Sequence, residues 1–527
     1  MKKVFLLILV FGFCQARSQF LRVYFKDKGY VKSNISLSDV QLSPKAIQNR
    51  TLRNIEFDKA DLPLNENYVV ALKNIGATIK AKSRWFNYVL IEGVSSEQLL
   101  QFSFISKVEE SQKYKVDFAE IKESRSKNTA SNLNYGLSRN QIEMVRGEIL
   151  HDFNFQGQGM TIAVIDGGFR AADTGKAFDS LWINNRILGT KSFVPSSSSV
   201  YSGGNHGTRV LSILGGFLDG QIIGSAPKAN YWLLKSELES SERVSEMDNW
   251  LMAAEFADSV GADIISSSLG YNEFDGGNGN YLYSDMDGNT TIVTKAADMA
   301  ASKGILVVVS AGNEGAGSWR HITAPADGDS VLAIGSVTNL QNISSFSSRG
   351  PTSDGRIKPN VVAMGQAAAN STGNNATVGN GTSFSCPLVS GMAACLWQAN
   401  STKSNMEIFG AIESSATIAG FPNNDYGHGI PNFELALYNI IGIDEQAEQW
   451  NMSVYPNPIL NELIISGSSQ NPELSNISIM DSRGAIVFET EGLVDQNEWR
   501  IDFPFPKGIY VIRVESAGKF YSQKIVK

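Results

Sequence analysis

From about residue 141 to residue 441, short apolar runs alternate with segments whose apolar positions recur every three or four residues. The runs at 161–165, 231–234, 264–268, 305–309 and 332–337 predict buried strands, and the helical spacing over 206–214, 247–260, 293–302 and 383–399 predicts helices. Strands that are apolar on both faces and interleaved with helices imply an α/β domain, with a mostly parallel sheet between helical layers. The flanking regions read differently. Ahead of this domain, strand patterns at 21–26, 78–81 and 88–93 and amphipathic helices at 66–75 and 95–102 fit a small β-α-β-β-α-β unit of α+β type. Beyond residue 454, alternating segments at 463–465, 477–480, 486–488, 499–503 and 509–514 are separated by Gly, Pro and polar turns. That spacing predicts a small all-β sandwich.

Chemistry-bearing residues punctuate the α/β pattern where strands end and helices start. Asp166 closes the run Met160-Thr161-Ile162-Ala163-Val164-Ile165-Asp166-Gly167-Gly168, at the end of a parallel strand where ligands collect. A solvated turn aspartate is the plainer reading of that residue alone. His206 opens a helix in Asn205-His206-Gly207-Thr208-Arg209-Val210, in a chain with only four histidines, His151, His206, His321 and His428. Ser383 lies in Asn380-Gly381-Thr382-Ser383-Phe384-Ser385-Cys386-Pro387, between a glycine turn and a helical apolar run. It could be an ordinary N-cap serine. Pro387 fits the first turn of that helix, where its missing N–H costs nothing, and Ser383 would then sit among free N–H groups able to stabilise negative charge.

Together, in the order Asp, His, Ser, these three segments resemble the subtilisin-like (S8) serine proteases. A fourth block, Val309-Ser310-Ala311-Gly312-Asn313-Glu314-Gly315, resembles that family's oxyanion segment. The resemblance implies that Ser383 is the nucleophile and His206 the base that takes its proton and later protonates the leaving amine. It implies that Asp166 orients the imidazole, and that the Asn313 amide and the Ser383 N–H hold the oxyanion. Ser268-Leu269-Gly270 would pair with the substrate backbone as an added strand. Ser310, Ala311 and Gly312 would line the pocket for the residue before the scissile bond, where small walls give a mild expectation of an apolar side chain. Arg209 stands where many relatives carry a second histidine, outside the triad. Asp425-Tyr426-Gly427-His428-Gly429-Ile430-Pro431-Asn432 resembles the closing segment, with His428 structural. The expected activity is peptide-bond hydrolysis through an acyl-enzyme, with peptide and protein substrates and no cofactor needed for catalysis. A catalytically silent peptide-binding surface homologue is the rival reading, and a peptide-joining enzyme using the same acyl-enzyme is another.

The ends extend this picture. Met1-Lys2-Lys3, the apolar stretch 4–13 and Ala16-Arg17-Ser18 form a secretory leader cut near Ser18. Cys14 suggests a lipoprotein, but Phe13 is bulky where a small residue is wanted. The α+β unit resembles the family's inhibitory propeptide, and the polar segment 122–137 looks like the cleavable connection. Tyr455-Pro456-Asn457-Pro458, Lys507-Gly508-Ile509-Tyr510 and the final Lys524-Ile525-Val526-Lys527 resemble the sorting domain of type IX secretion; a generic accessory sandwich is the plainer alternative. The expected organisation is leader 1–18, propeptide and linker 19–130, peptidase 131–445 and sorting sandwich 446–527. The expected partners are the type IX machinery and the chain's own propeptide, with export through the periplasm to the surface or beyond.

Charge and cysteine add limits. With 45 basic against 53 acidic residues the net charge is −8, and no basic stripe suits nucleic acid. Cys386 and Cys395 fall on opposite faces of one predicted helix, about 13 Å apart along its axis, too far to pair. The polar loop 274–291 contains Asp285-Met286-Asp287-Gly288-Asn289 but lacks the glycine and distal glutamate of an EF-hand. Structural calcium stays possible there on loop composition and family habit, with no metal ligand assigned.

Overall fold

The computed structural model describes residues 20–29, 35–111, 133–194, 197–238, 242–277, 279–440, 452–467, 474–481, 486–493, 499–516 and 519–527. The expected leader, Cys14 and residues 122–132 of the expected linker lie outside them. Seven parallel strands form the central layer, in the order Val361–Met364, Val331–Val337, Leu306–Ser310, Ile264–Ser267, Thr161–Asp166, Asn230–Lys235, Ile187–Ser192. Five of these are the strands expected from the apolar runs. The two edge strands were not legible as runs: Ile187–Ser192 is largely solvent-facing and Val361–Met364 spans only four residues.

Side chains alternate across a strand, and Thr161–Asp166 shows the consequence. Ile162 and Val164 enter the core under the helices His206–Gly215 and Thr382–Ala399, while Ala163 and Ile165 enter the core under Val244–Val260 and Ile292–Ser302. The chain runs outward from Thr161–Asp166 in both directions across the sheet, so a crevice opens at the carboxyl end of that strand, beside Asp166.

The helix Thr382–Ala399 is buried at every residue from Thr382 to Trp397. Small and apolar residues on all its faces suit that enclosure. It begins one residue earlier than expected, and Pro387, its sixth residue, lies in the second turn rather than the first. The proline has no N–H to offer the Ser383 carbonyl four residues back. The Ser268 hydroxyl donates to that carbonyl instead, at 2.9 Å. Cys386 and Cys395 are both unpaired and buried on this helix. Burial pushes the Cys386 thiol up to about 12, and it donates to the carbonyls of Ser267 and Val308 at 3.5 Å each.

The α+β unit has a four-stranded antiparallel sheet ordered Thr78–Ser83, Tyr88–Glu92, Phe20–Phe25, Ile105–Ser111. Glu66–Asn74 and Ser96–Leu100 are its expected helices, and Pro44–Leu52 is a further one. The unit sits on the helix Val244–Val260. Trp85, Tyr88 and Leu90 join the apolar cluster of Met247, Leu251 and Ala254. Around them, Arg22 grips Asp248 with Nε and Nη2 at 2.7 Å each. Arg50 and Arg84 reach Asp258 at 2.8 and 2.6 Å, and Glu255 accepts from the Ser83 hydroxyl at 2.6 Å. The C-terminal region is a sandwich of a three-stranded and a four-stranded antiparallel sheet. Leu463, Ile465 and Ile501 of one sheet share a core with Ile477, Ile479 and Ile512 of the other.

His151 ties the base of the buried helix to the layer beside it. Its Nδ1 meets the Tyr135 hydroxyl at 2.7 Å and its Nε2 the Ser225 carbonyl at 2.9 Å, while Ser225 Oγ donates to the Pro387 carbonyl at 3.1 Å. The ring is therefore neutral, with Nε2 as its donor and Nδ1 accepting from tyrosine. Burial pushes its pKa from 6.5 down to about 4. Between those values the unfolded chain takes a proton that the folded chain refuses, so stability falls as the pH drops below 6.5. The full effect is about 3 kcal/mol. Thermal melts at about pH 7 and about pH 5 should show about two thirds of that loss in the native chain, and His151→Gln should flatten this part of the slope.

Candidate active site

The site starts with a buried carboxylate. Asp166 ends its strand with no exposed surface. Its Oδ1 accepts from the Gly167 N–H at 2.8 Å and from His206 Nδ1 at 2.8 Å. That bond makes Nδ1 the protonated nitrogen of a neutral imidazole and leaves Nε2 as the basic one. His206 opens the helix His206–Gly215, and its side chain is 32% exposed. The next residue must be glycine for the helix to close on the strand. A Cβ at Gly207 would lie 2.7 Å from the Gly168 carbonyl and 3.0 Å from Asp166 Cβ.

Ser383 enters from the opposite helix. Gly381, with φ +149°, turns the chain into that helix in a conformation favouring glycine. Ser383 is 8% exposed, and its hydroxyl points to the Ser268 carbonyl at 3.4 Å. Its N–H belongs to the first turn, where donors have no acceptor within the helix. Phe384 stacks on His206 with ring centroids 6.3 Å apart, and the Arg209 guanidinium lies 5.0 Å from the Phe384 ring. Arg209 Nε donates to Asn370 at 2.8 Å, so this arginine braces Phe384 rather than reaching for Asp166.

Asn313 stands beside the same helix start. Its Oδ1 accepts from Thr382 N at 2.9 Å and from Thr382 Oγ1 at 3.1 Å. With the oxygen so occupied, the amide NH₂ is the end left to face a developing oxyanion. Thr382 was not singled out from sequence. It lies within the quoted stretch, but its part depends on Asn313, 69 residues away.

The two expected substrate-binding segments flank Ser383. Ser268, Leu269 and Gly270 continue the strand Ile264–Ser267, and Ala311 and Gly312 continue its parallel neighbour Leu306–Ser310. Gly312 N donates to Thr382 Oγ1 at 3.3 Å. His428 lies apart from these groups, with its Nδ1 3.1 Å from the Asn360 carbonyl. The loop considered for calcium spends the carboxylates of Asp285 and Asp287 on itself, and Asp275 accepts from Glu242 N at 3.2 Å. Asp287 accepts from the N–H groups of Asn289 and Thr290 at 2.8 and 2.7 Å, and Asp285 accepts from Leu282 N at 2.7 Å. Its donor set does not fit a calcium cage, and among the described residues no group of three or more His, Cys, Asp or Glu is placed to hold a metal.

Comparison with known proteins matches three stretches of the chain. The subtilase family matches residues 157–429, the Bacteroidota peptidase S8 propeptide domain matches 21–131, and a secretion system C-terminal sorting domain matches 453–527. Subtilisin E of Bacillus subtilis is 32% identical over 313 residues, covering 58% of this chain and 72% of that protein. The subtilisin of Bacillus pumilus is 31% identical over 313 residues, covering 99% of its length. Subtilisin Savinase of Lederbergia lenta is 30% identical over 310 residues, again covering 99% of its length.

Replacing Asn313 with alanine should lower kcat for peptide hydrolysis about 10²–10³-fold with KM nearly unchanged. Steady-state kinetics on a peptide ester and a peptide amide check this. A change confined to KM would remove Asn313 from the oxyanion site.

Proposed function

The chain belongs to the subtilase family, and from that premise we propose that Asp166, His206 and Ser383 are its catalytic triad, with Asn313 and the Ser383 N–H as its oxyanion donors. The protein is a secreted subtilisin-like serine endopeptidase made as a zymogen, with an N-terminal propeptide and a C-terminal sorting domain. The observation that carries the triad is the 2.8 Å bond from His206 Nδ1 to a fully buried Asp166, beside the start of the helix that presents Ser383.

In this reading the Ser383 hydroxyl attacks the scissile carbonyl while His206 Nε2 takes its proton. Asp166 steadies the imidazolium through Nδ1, and its buried setting strengthens that attraction. The tetrahedral oxyanion lies between the Asn313 amide and the helix-start N–H of Ser383. His206 then passes its proton to the departing amine, and water repeats the sequence on the acyl-enzyme. Ser268, Leu269 and Gly270 pair with the substrate backbone, and Ala311 and Gly312 wall its side chain. No step calls on a metal.

The proposed organisation is leader 1–18, inhibitory propeptide with linker 19–130, peptidase 131–445 and sorting sandwich 446–527. The matched sorting domain supports delivery to the outer surface or the medium. The route we propose runs through the periplasm and the type IX machinery, which the C-terminal sandwich would engage.

Two experiments test these readings. A fluorophosphonate probe should add once to the mature protein, at Ser383, and Ser383→Ala should abolish labelling and cut turnover about 10⁶-fold. An unlabelled native protein would overturn the triad. Deleting the chain after Trp450 should leave an enzyme that labels normally but stays inside the cell envelope, and unimpaired release of it would defeat the sorting role.

A further inference from the structure

The foot of the central sheet, where its strands begin, carries a second seat for the propeptide that no motif marks. Thr161 starts the strand that ends at Asp166, and its N–H donates to Asp263 Oδ2 at 2.9 Å. Five steps along that strand put the foot roughly 16 Å from Asp166. Two helices also stop here, Val244–Val260 at Gly261 and Ile292–Ser302 shortly before Gly304. Helix ends carry carbonyls without partners and a partial negative charge, and Asp258 and Asp263 add two carboxylates. The peptidase thus builds a surface that calls for cations.

The polar helix Pro44–Leu52 and the turn after it answer that surface. Ser43 N donates to the Ser259 carbonyl at 2.8 Å, and Asn49 Nδ2 donates to the Gly261 carbonyl and to Asp263 Oδ1 at 3.1 Å each. Arg53 Nη1 donates to the Gly304 carbonyl at 3.1 Å, and its Nη2 pairs with Asp263. The same guanidinium lies 4.1 Å from the ring centroid of Trp397, which is buried near the end of the helix that presents Ser383. One side chain, 4% exposed, therefore joins the carboxylate under the Asp166 strand to the far end of the Ser383 helix. Lys303 reaches back from the peptidase, its Nζ 2.8 Å from Asp58 and 3.3 Å from Asp61. Two glycines leave room for the incoming segment. A Cβ on Gly261 would lie 2.6 Å from Ala46 N, and one on Gly304 would collide with Ile55 Cδ1.

We propose that this foot is a binding site separate from the active site, shaped for an arginine-bearing helix, and that it keeps the chain's own propeptide bound after the connecting segment is cut. This inference rests on the propeptide being cut from the peptidase during maturation and inhibiting it until it leaves. The propeptide sheet lies along Val244–Val260, and the helix Pro44–Leu52 sits at the end of that helix. When the sheet lifts, the foot still holds its segment, so the sheet returns from a high local concentration rather than from free solution. Arg53 is the centre of the hold. Its flat fork spans Asp263 and the Gly304 carbonyl while its face stacks on Trp397, a combination an ammonium does not offer. Ile55 adds apolar packing beside Gly304.

The test follows the native full chain and Arg53→Ala through maturation. Denaturing gels time the cut in the connecting segment, and hydrolysis of a peptide ester in the same samples times the release of activity. In the native chain activity should lag the cut. In Arg53→Ala the lag, counted from the cut, should shorten about tenfold or more, because truncating one partner of a buried charge pair acts on dissociation. An unchanged lag in Arg53→Ala overturns the proposal, as does a native chain whose activity rises in step with the cut. Hydrogen exchange on the cut native protein decides the seat without a variant, should Arg53→Ala fail to accumulate. The amides of 44–52 should open together with those of the propeptide strands, and free exchange over 44–52 while the strands stay protected overturns the site. A chain that is never cut overturns the maturation reading instead, and the gel alone shows it.

Discussion

Everything in the site depends on how the first turn of the helix Thr382–Ala399 is latched to the ends of two neighbouring strands. The helix is enclosed on all sides, so apolar packing alone would tolerate small rotations about its axis. Polar bonds remove that freedom. Thr382 is held by Asn313, the Ser383 carbonyl by Ser268, and the Cys386 thiol reaches the carbonyls of Ser267 and Val308. Asn313, Ser268 and Ser267 lie at or just beyond the carboxyl end of a strand, and Val308 lies two residues before one. A slip of one residue would turn the helix by about 100° and carry Ser383 away from His206. Pro387 is part of the same device, because its missing N–H leaves the Ser383 carbonyl available to Ser268.

A second constraint governs the propeptide. Its seat on Val244–Val260 combines an aromatic contact, Trp85 and Tyr88, with buried pairs in which Arg22, Arg50 and Arg84 face Asp248 and Asp258. Buried ion pairs add little net stability over apolar packing, but leaving one member unpaired is expensive. Such pairs therefore fix the docking angle more than they add affinity. They also suit a surface that must later be given up. Once the propeptide leaves, Asp248, Glu255 and Asp258 become charged groups in water on one helix. Burial under the propeptide raises the Glu255 pKa, a strain that release would remove.

The triad candidates and five central strands were legible because each is local: an apolar run, then a polar residue where the run stops. What escaped depends on distant segments meeting. The helix Pro44–Leu52 is mostly polar, and the edge strands Ile187–Ser192 and Val361–Met364 are either solvent-facing or too short to show a period. Pro387 read as a first-turn proline because a missing N–H is harmless there. Only the fold shows that Ser268 takes the Ser383 carbonyl that the proline leaves open.

Exposure rises through the proposed machinery in the order in which its parts meet the substrate. Asp166 is fully buried, Ser383 is 8% exposed, the His206 side chain 32%, and Asn313 lies at the surface. The aspartate never touches the peptide, and burial serves it, because a low dielectric strengthens its hold on the charged imidazole. His206 must exchange a proton with serine, amine and water in turn, so it needs an open edge. Asn313, as the proposed oxyanion donor, would donate to an oxygen that belongs to the substrate, and its own orientation is already fixed by Thr382. The site is thus wet until a peptide lies along Ser268 to Gly270 and excludes water from it. In this reading the electrostatic stabilisation of the transition state reaches its full strength only on a bound chain, which ties the rate of hydrolysis to how well that chain covers the site.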